Sequence, residues 1–228
     1  MALKINRTTQ RVLRGIGIVL LIIVIASMAK IFIWEKDYYR NKSGEERAMA
    51  DVPITRIVSA INPSEKEPTA KEISEYQVEK DTPRYLDIER LKIHARIQIS
   101  EVNTNGLLAT PNNIYDASWY SGSSKPGHNG YIIISGIHSN GSNKGIFANL
   151  DSLEKGDIIK IENGAGDTYQ YKVEEINVIS DQNDSDDVLA KMQTRLNQAE
   201  TLSLVTVKTN SSNQEFESLV MLRATKKD

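Results

Sequence analysis

From Tyr85 to Ala224 the apolar residues fall into short runs in which they alternate with polar ones. The runs are Tyr85 to Ile99, Gly130 to Gly136, Asp157 to Ile161, Thr168 to Ile179, Thr201 to Val207 and Ser218 to Ala224. A period of two places alternate side chains on one face, which is the signature of a half-buried strand rather than a helix. Turn signals separate the runs: Asn103-Thr104-Asn105-Gly106, Lys125-Pro126-Gly127-His128-Asn129-Gly130, Ser139 to Lys144, Lys155-Gly156-Asp157 and Asn163 to Asp167. Many short strands with few helical patterns predict an all-β barrel or sandwich over residues 83–228. Two short helices are expected, Phe147 to Leu153 and Asp186 to Gln193.

Upstream the chain changes character twice. Residues 1–14 carry Lys4, Arg7, Arg11 and Arg14 and no acid, so this arm is +4 and the remainder, with 24 basic and 30 acidic residues, is −6. Residues 15–34 (GIGIVLLIIVIASMAKIFIW) are apolar apart from Ser27 and Lys30. Such a stretch, at about 1.5 Å per residue, matches the ~30 Å hydrocarbon core of a bilayer. A basic flank before it and an acidic remainder orient the N-terminus to the cytoplasm and the bulk outside. Ser27-Met28-Ala29 offers small residues for signal-peptide cleavage, but the apolar run resumes at Ile31 to Trp34 beyond it. Trp34, Tyr38 and Tyr39 suit an interface, so an uncleaved single-pass anchor in the cell membrane is expected. Residues 35–82 are charged and polar, with Pro53, Pro63 and Pro68, and read as an extracytoplasmic stalk. Within it a weak apolar patch, Ile54 to Ile61, is suited to pack back on the domain.

The chain has no cysteine, which excludes disulfides, thiolate metal sites, iron–sulfur clusters and thiol catalysis. A net charge of −2 and a pI near 6.0 argue against nucleic-acid binding. Three histidines, His94, His128 and His138, are too few for most zinc sites.

The order of motifs resembles the sortase family, most closely its membrane-anchored class labelled E or F. The resemblance starts with Thr82-Pro83-Arg84 opening a strand through Ile88 to Ile99, then Gly106-Leu107-Leu108-Ala109-Thr110-Pro111 and Ala117-Ser118-Trp119-Tyr120. It continues through Pro126 to Gly130, the strand Tyr131 to Gly136, and Gly145-Ile146-Phe147-Ala148-Asn149-Leu150. Leu153 to Asp157, Tyr169 to Val173 and Leu202 to Val207 complete it. The resemblance implies a closed eight-stranded β-barrel with short helices, preceded here by one transmembrane helix. It also implies a chemistry: a cysteine attacks a peptide carbonyl in a sorting signal, a histidine acts as acid and base, and an arginine stabilises the oxyanion.

At each of those places this chain departs from the family. The cysteine would follow the threonine of the late strand, where Val207 stands, and a hydrocarbon cannot attack a carbonyl. Thr206 is the substitute to weigh, yet neighbours on a strand face opposite sides, so Thr206 should point away from the pocket that Val207 lines. The histidine's position falls on Ile137, with His138 one residue late. His138 is the candidate catalytic remnant if a bulge re-aims it. The arginine, counted about ten residues after the cysteine, falls on Glu217. A carboxylate there opposes an oxyanion by on the order of 4 kcal/mol at about 4 Å and an effective dielectric of about 20.

No cofactor is implied. Ser180 to Asp187 begins like a calcium loop, but Asp186 replaces the required glycine and Met192 the required glutamate, which leaves Asp184, Asp186 and Asp187 as weak metal candidates in a solvated loop. Ser123 and Ser139 lack the context of a hydrolase nucleophile. The function expected is a degenerate pseudo-sortase that binds an extended peptide or a sorting-signal-bearing surface protein. The alternatives are a cysteine-independent transpeptidase or hydrolase, and a purely structural surface domain.

Overall fold

The computed structural model describes residues 30, 56–58, 62–102, 106–193, 199–210 and 215–227. The chain divides into two compact units, 1–47 and 48–228. In the first only Lys30, which is helical, is described. The expected basic arm and anchor, residues 1–14 and 15–34, thus lie outside the described residues apart from Lys30. Among the described residues no helix is long and apolar enough to cross a membrane.

Among the described residues the second unit contains twelve strands: β1 (Arg56–Val58), β2 (Pro83–Ile88), β3 (Ile93–Ser100), β4 (Leu107–Ala109), β5 (Ala117–Tyr120), β6 (Tyr131–Gly136), β7 (Ser139–Asn140), β8 (Asn143–Lys144), β9 (Ile158–Asn163), β10 (Thr168–Ile179), β11 (Thr201–Thr209) and β12 (Phe216–Lys226). Eight of them close into a barrel in the order β10-β12-β11-β6-β5-β3-β2-β9. Closure leaves these strands without a free edge. The β6–β11 and β3–β5 pairs are parallel, and the other pairs within the barrel are antiparallel.

Alternation sorts the apolar residues into two groups. Leu86, Ile97, Trp119, Ile134, Ile161, Val173, Leu204 and Leu222, one from each barrel strand, belong to a single buried cluster that fills the interior. Phe147, Leu150 and Leu153 join it, three residues apart. That spacing is the period of a 3-10 helix, so the expected helix at Phe147 to Leu153 is instead a run of turns with a 3-10 turn at Leu150–Ser152. The opposite faces of β6, β11 and β12 carry Tyr131, Ile133, Val205 and Leu219, which form a second cluster with Ile57, Leu108 and Leu189. Part of the barrel's outer wall is therefore apolar and covered.

Two features of the cover depart from expectation. The acidic run read as a solvated loop is the start of helix α2 (Gln182–Gln193), while α1 is the short helix Ala70–Ser74. Asp181 caps α2, accepting from the Asn183 and Asp184 amides at 2.8 and 3.3 Å, and acidic residues in a first turn suit the helix dipole. The polar stretch before Pro83 does not hang free. Helix α1 starts in a capping box between Thr69 and Glu72. Beyond it the Tyr76 hydroxyl donates to the Ile97 carbonyl at 2.7 Å, and Arg84 Nε donates to the Tyr76 carbonyl at 2.7 Å. Of the apolar patch Ile54 to Ile61, the described residues 56–58 pack back as β1, which pairs in parallel with β4 and buries Ile57.

Candidate functional site

Strand β11 ends at the site. Thr206 and Val207 face opposite sides of it, as strand geometry requires. Thr206 is fully buried on the interior side, and its Oγ1 donates to the Gly136 carbonyl at 2.8 Å. Val207 is half-buried and packs with the outer cluster. Its partner across the antiparallel ladder is Leu219, so the residue in register with Val207 is a second hydrocarbon.

A cavity of about 260 Å³ borders this pair. Val207, Thr209, Phe216 and Leu219 line it from β11 and β12. Ile57 and Val58 line it from β1, and Gln182, Ser185 and Leu189 from α2. Arg56 Nη2 and Asp186 Oδ2 stand 4.0 Å apart and link β1 to α2 there. The lining holds neither histidine nor lysine, and its one guanidinium is paired with a carboxylate. These groups can exclude water and hold an apolar chain; the one carboxylate among them, Asp186, accepts from Gln182 and lies 4.0 Å from Arg56.

The other expected positions lie off this cavity. Ile137 is buried beside Gly145 and its carbonyl accepts from the Phe147 amide at 3.0 Å. The preceding Gly136 has no room for a Cβ, which would overlap the Phe147 ring. Glu217 pairs with Lys208, Nζ to Oε1 at 2.8 Å, on an exposed rim. His138 is half-buried near these charges. Burial first and Lys208 second hold its pKa below the ordinary imidazole range, while Asp151 and Glu217 act in the opposite direction. The neutral ring lies 3.4 Å from Ser139 Oγ through Nδ1, a long contact with its own chain neighbour. No hydrogen bond joins Thr206 to His138 among the described residues.

The remaining candidates are occupied in structural roles. Ser123 donates to the Tyr120 carbonyl at 2.7 Å and accepts from the Ile133 amide at 3.1 Å. His94 Nδ1 lies 2.6 Å from Asp87 Oδ1, and His128 Nδ1 lies 3.4 Å from its neighbour's Pro126 carbonyl. Asp184, Asp186 and Asp187 sit in the first turns of α2, with Asp186 engaged by Gln182 and Arg56. Among the described residues no three His, Cys, Asp or Glu side chains are grouped to hold a metal ion. Sequence reasoning missed Leu219 and the first turn of α2, while the packing of the patch around Ile57 and a helix over Asp186 to Gln193 were expected. The ladder register identifies the first; Asp181 as a cap was the available signal for the second.

A family model described as the Sortase domain matches residues 86–226. Sortase A from Corynebacterium diphtheriae superposes with a TM-score of 0.51 at 19% identity, covering 83% of this chain and 82% of that one. A sortase transpeptidase from Clostridium perfringens is 28% identical with a TM-score of 0.46, covering 69% of this chain and 86% of that one. No curated protein matches the chain. The closed eight-stranded barrel and the family model spanning most of it lead to one conclusion: the chain belongs to the sortase family.

Proposed function

We propose that this chain is a membrane-anchored, extracytoplasmic pseudo-sortase that holds an extended peptide or a surface-protein segment without cutting it. The observation that carries the reading is the Val207–Leu219 pair beside the cavity. Neither residue of that pair carries a nucleophile or a cation. Loss of one oxyanion donor alone costs about 2.7 to 4 kcal/mol of transition-state stabilisation, and loss of a nucleophile about a million-fold in rate. The one hydroxyl next in sequence, that of Thr206, is committed to the Gly136 carbonyl on the other side of the strand. Fold and chemistry are separable, so a barrel that has lost the reaction can keep the peptide.

The test is to incubate the full chain with sorting-signal peptides and an amine acceptor. Binding without turnover is expected. Turnover that Thr206→Ala or His138→Ala abolishes would overturn the reading in favour of a cysteine-independent transpeptidase. Neither binding nor turnover would favour a purely structural domain. Protease digestion of intact cells tests the orientation, with the barrel expected to be accessible from outside.

A further inference from the structure

Strand β1 uses only every second residue in its ladder with β4. Arg56, Ile57 and Val58 stand in register with Leu107, Leu108 and Ala109. The Arg56 amide donates to the Gly106 carbonyl at 3.4 Å, and the Val58 carbonyl accepts from the Thr110 amide at 2.9 Å. In such a ladder the residue between two bonded ones turns its N–H and C=O to the opposite edge. The Ile57 backbone groups therefore face away from β4, and no hydrogen bond among the described residues uses them. Ile57 is only 3% exposed and borders the cavity beside Val207. A buried backbone donor and acceptor without partners is a rare arrangement in a folded protein, and it marks a place where something else supplies them.

Apart from the Thr209 hydroxyl, the other polar side chains of the cavity are already engaged. Gln182 Nε2 donates to Asp186 Oδ1 at 2.8 Å, and Ser185 Oγ donates to the Asp181 carbonyl at 2.9 Å. Arg56 and Asp186 offset each other's charge across 4.0 Å. Charge complementarity thus selects a neutral ligand that offers one acceptor and one donor at strand spacing, beside an apolar surface. A peptide backbone has that pattern, and strand addition to an open edge is how proteins commonly read it. The cavity, about 260 Å³, is smaller than the roughly 300 Å³ at which ordinary ligand pockets begin, so it suits one residue rather than a run.

We infer that one residue of an extended peptide adds to β1 through the Ile57 N–H and C=O, seating an aliphatic side chain against Val207, Leu219 and Phe216. This rests on the peptide-holding reading above and specifies how the peptide is held. Two capped pentapeptide libraries test it on the full chain, both varied at the central residue, the second with its internal amides N-methylated. The first library is expected to be retained with enrichment of Val, Leu and Ile at the centre. The second is expected to bind about tenfold more weakly, because the amide that donates to the Ile57 carbonyl is replaced by a methyl group that also blocks close approach to the strand edge. Val207→Phe, which fills the cavity, is expected to weaken retention of the first library by a similar factor while leaving the melting temperature within a few degrees. Slower hydrogen exchange at the Ile57 amide on binding locates the contact. Equal retention of both libraries, or unchanged retention by Val207→Phe, would overturn strand addition and leave peptide holding intact. No retention of either library would overturn both.

Discussion

The Thr206 hydroxyl donates to the Gly136 carbonyl at 2.8 Å, tying β11 to the last residue of β6. Thr206 is fully buried, so removing its oxygen leaves the carbonyl without that partner. Thr206→Val should cost about 1 to 2 kcal/mol, read as a lower urea midpoint, and Thr206→Ser should cost less by keeping the donor. Equal stability of Thr206→Val and the parent would show that the hydroxyl contributes nothing to the fold.

The chain lacks cysteine, so one introduced thiol reports on one position. In single-cysteine variants Val207→Cys should react with a maleimide in the folded state, because position 207 is half-buried and borders the cavity. Thr206→Cys should react only after denaturation, because position 206 is sealed from solvent. A reversed order of reactivity would mean that the strand presents its other face to the cavity.

His138 titrates below its ordinary value of about 6.5, with burial the main cause. The folded state therefore resists the proton that the unfolded state accepts near that value. The stability linked to His138 is complete above about pH 6.5 and is lost as pH falls through the lower folded value. Comparing urea midpoints of the parent and His138→Gln at pH 7.5 and 5 isolates this group from the carboxylates. The parent is expected to lose more stability on acidification than the variant. An equal loss in both would show that the ring is not desolvated.

At the other end of β11, Glu200 is buried and its carboxylate collects three donors. Oε1 accepts from the Gly127 amide at 2.7 Å and the Tyr171 hydroxyl at 2.6 Å, and Oε2 lies 2.8 Å from Lys226 Nζ. Burial and this carboxylate together push the Tyr171 pKa up, so the phenol stays a donor. Glu200→Ala should cost about 3 kcal/mol, because it strips partners from buried donors. Glu200→Gln keeps the acceptor and should cost about half of that. Similar losses in both variants would assign the effect to charge instead of hydrogen bonding.

The barrel was legible because alternation over six runs leaves one face of each strand apolar, and the sortase-like order of motifs supplied the number of strands. Thr206 and Val207 were separable for the same reason, since strand parity survives any error in the strand's ends. Leu219 was not, because it depends on the offset between two strands joined by a loop, which residue counting cannot supply. Counting led to Glu217, while the ladder pairs Val207 with Leu219 and shifts between Lys208 and Thr209. The cavity walls were only partly legible for another reason. Strand β1 is only three residues long and α2 opens on an acidic run, so their order arises from caps and from the wall they cover rather than from a periodic pattern. The Thr69-x-x-Glu72 capping box starts a helix within a segment whose composition suggested a stalk.

β6 and β11 run in the same direction, with Ser135 opposite Val205. Ile137 and Val207 each follow the last paired residue of their segment by two positions. Neighbourhood between these positions is thus a property of the sheet and owes nothing to which side chains stand there. A substitution at either position changes the side chain presented there while leaving the register of the two strands as it is.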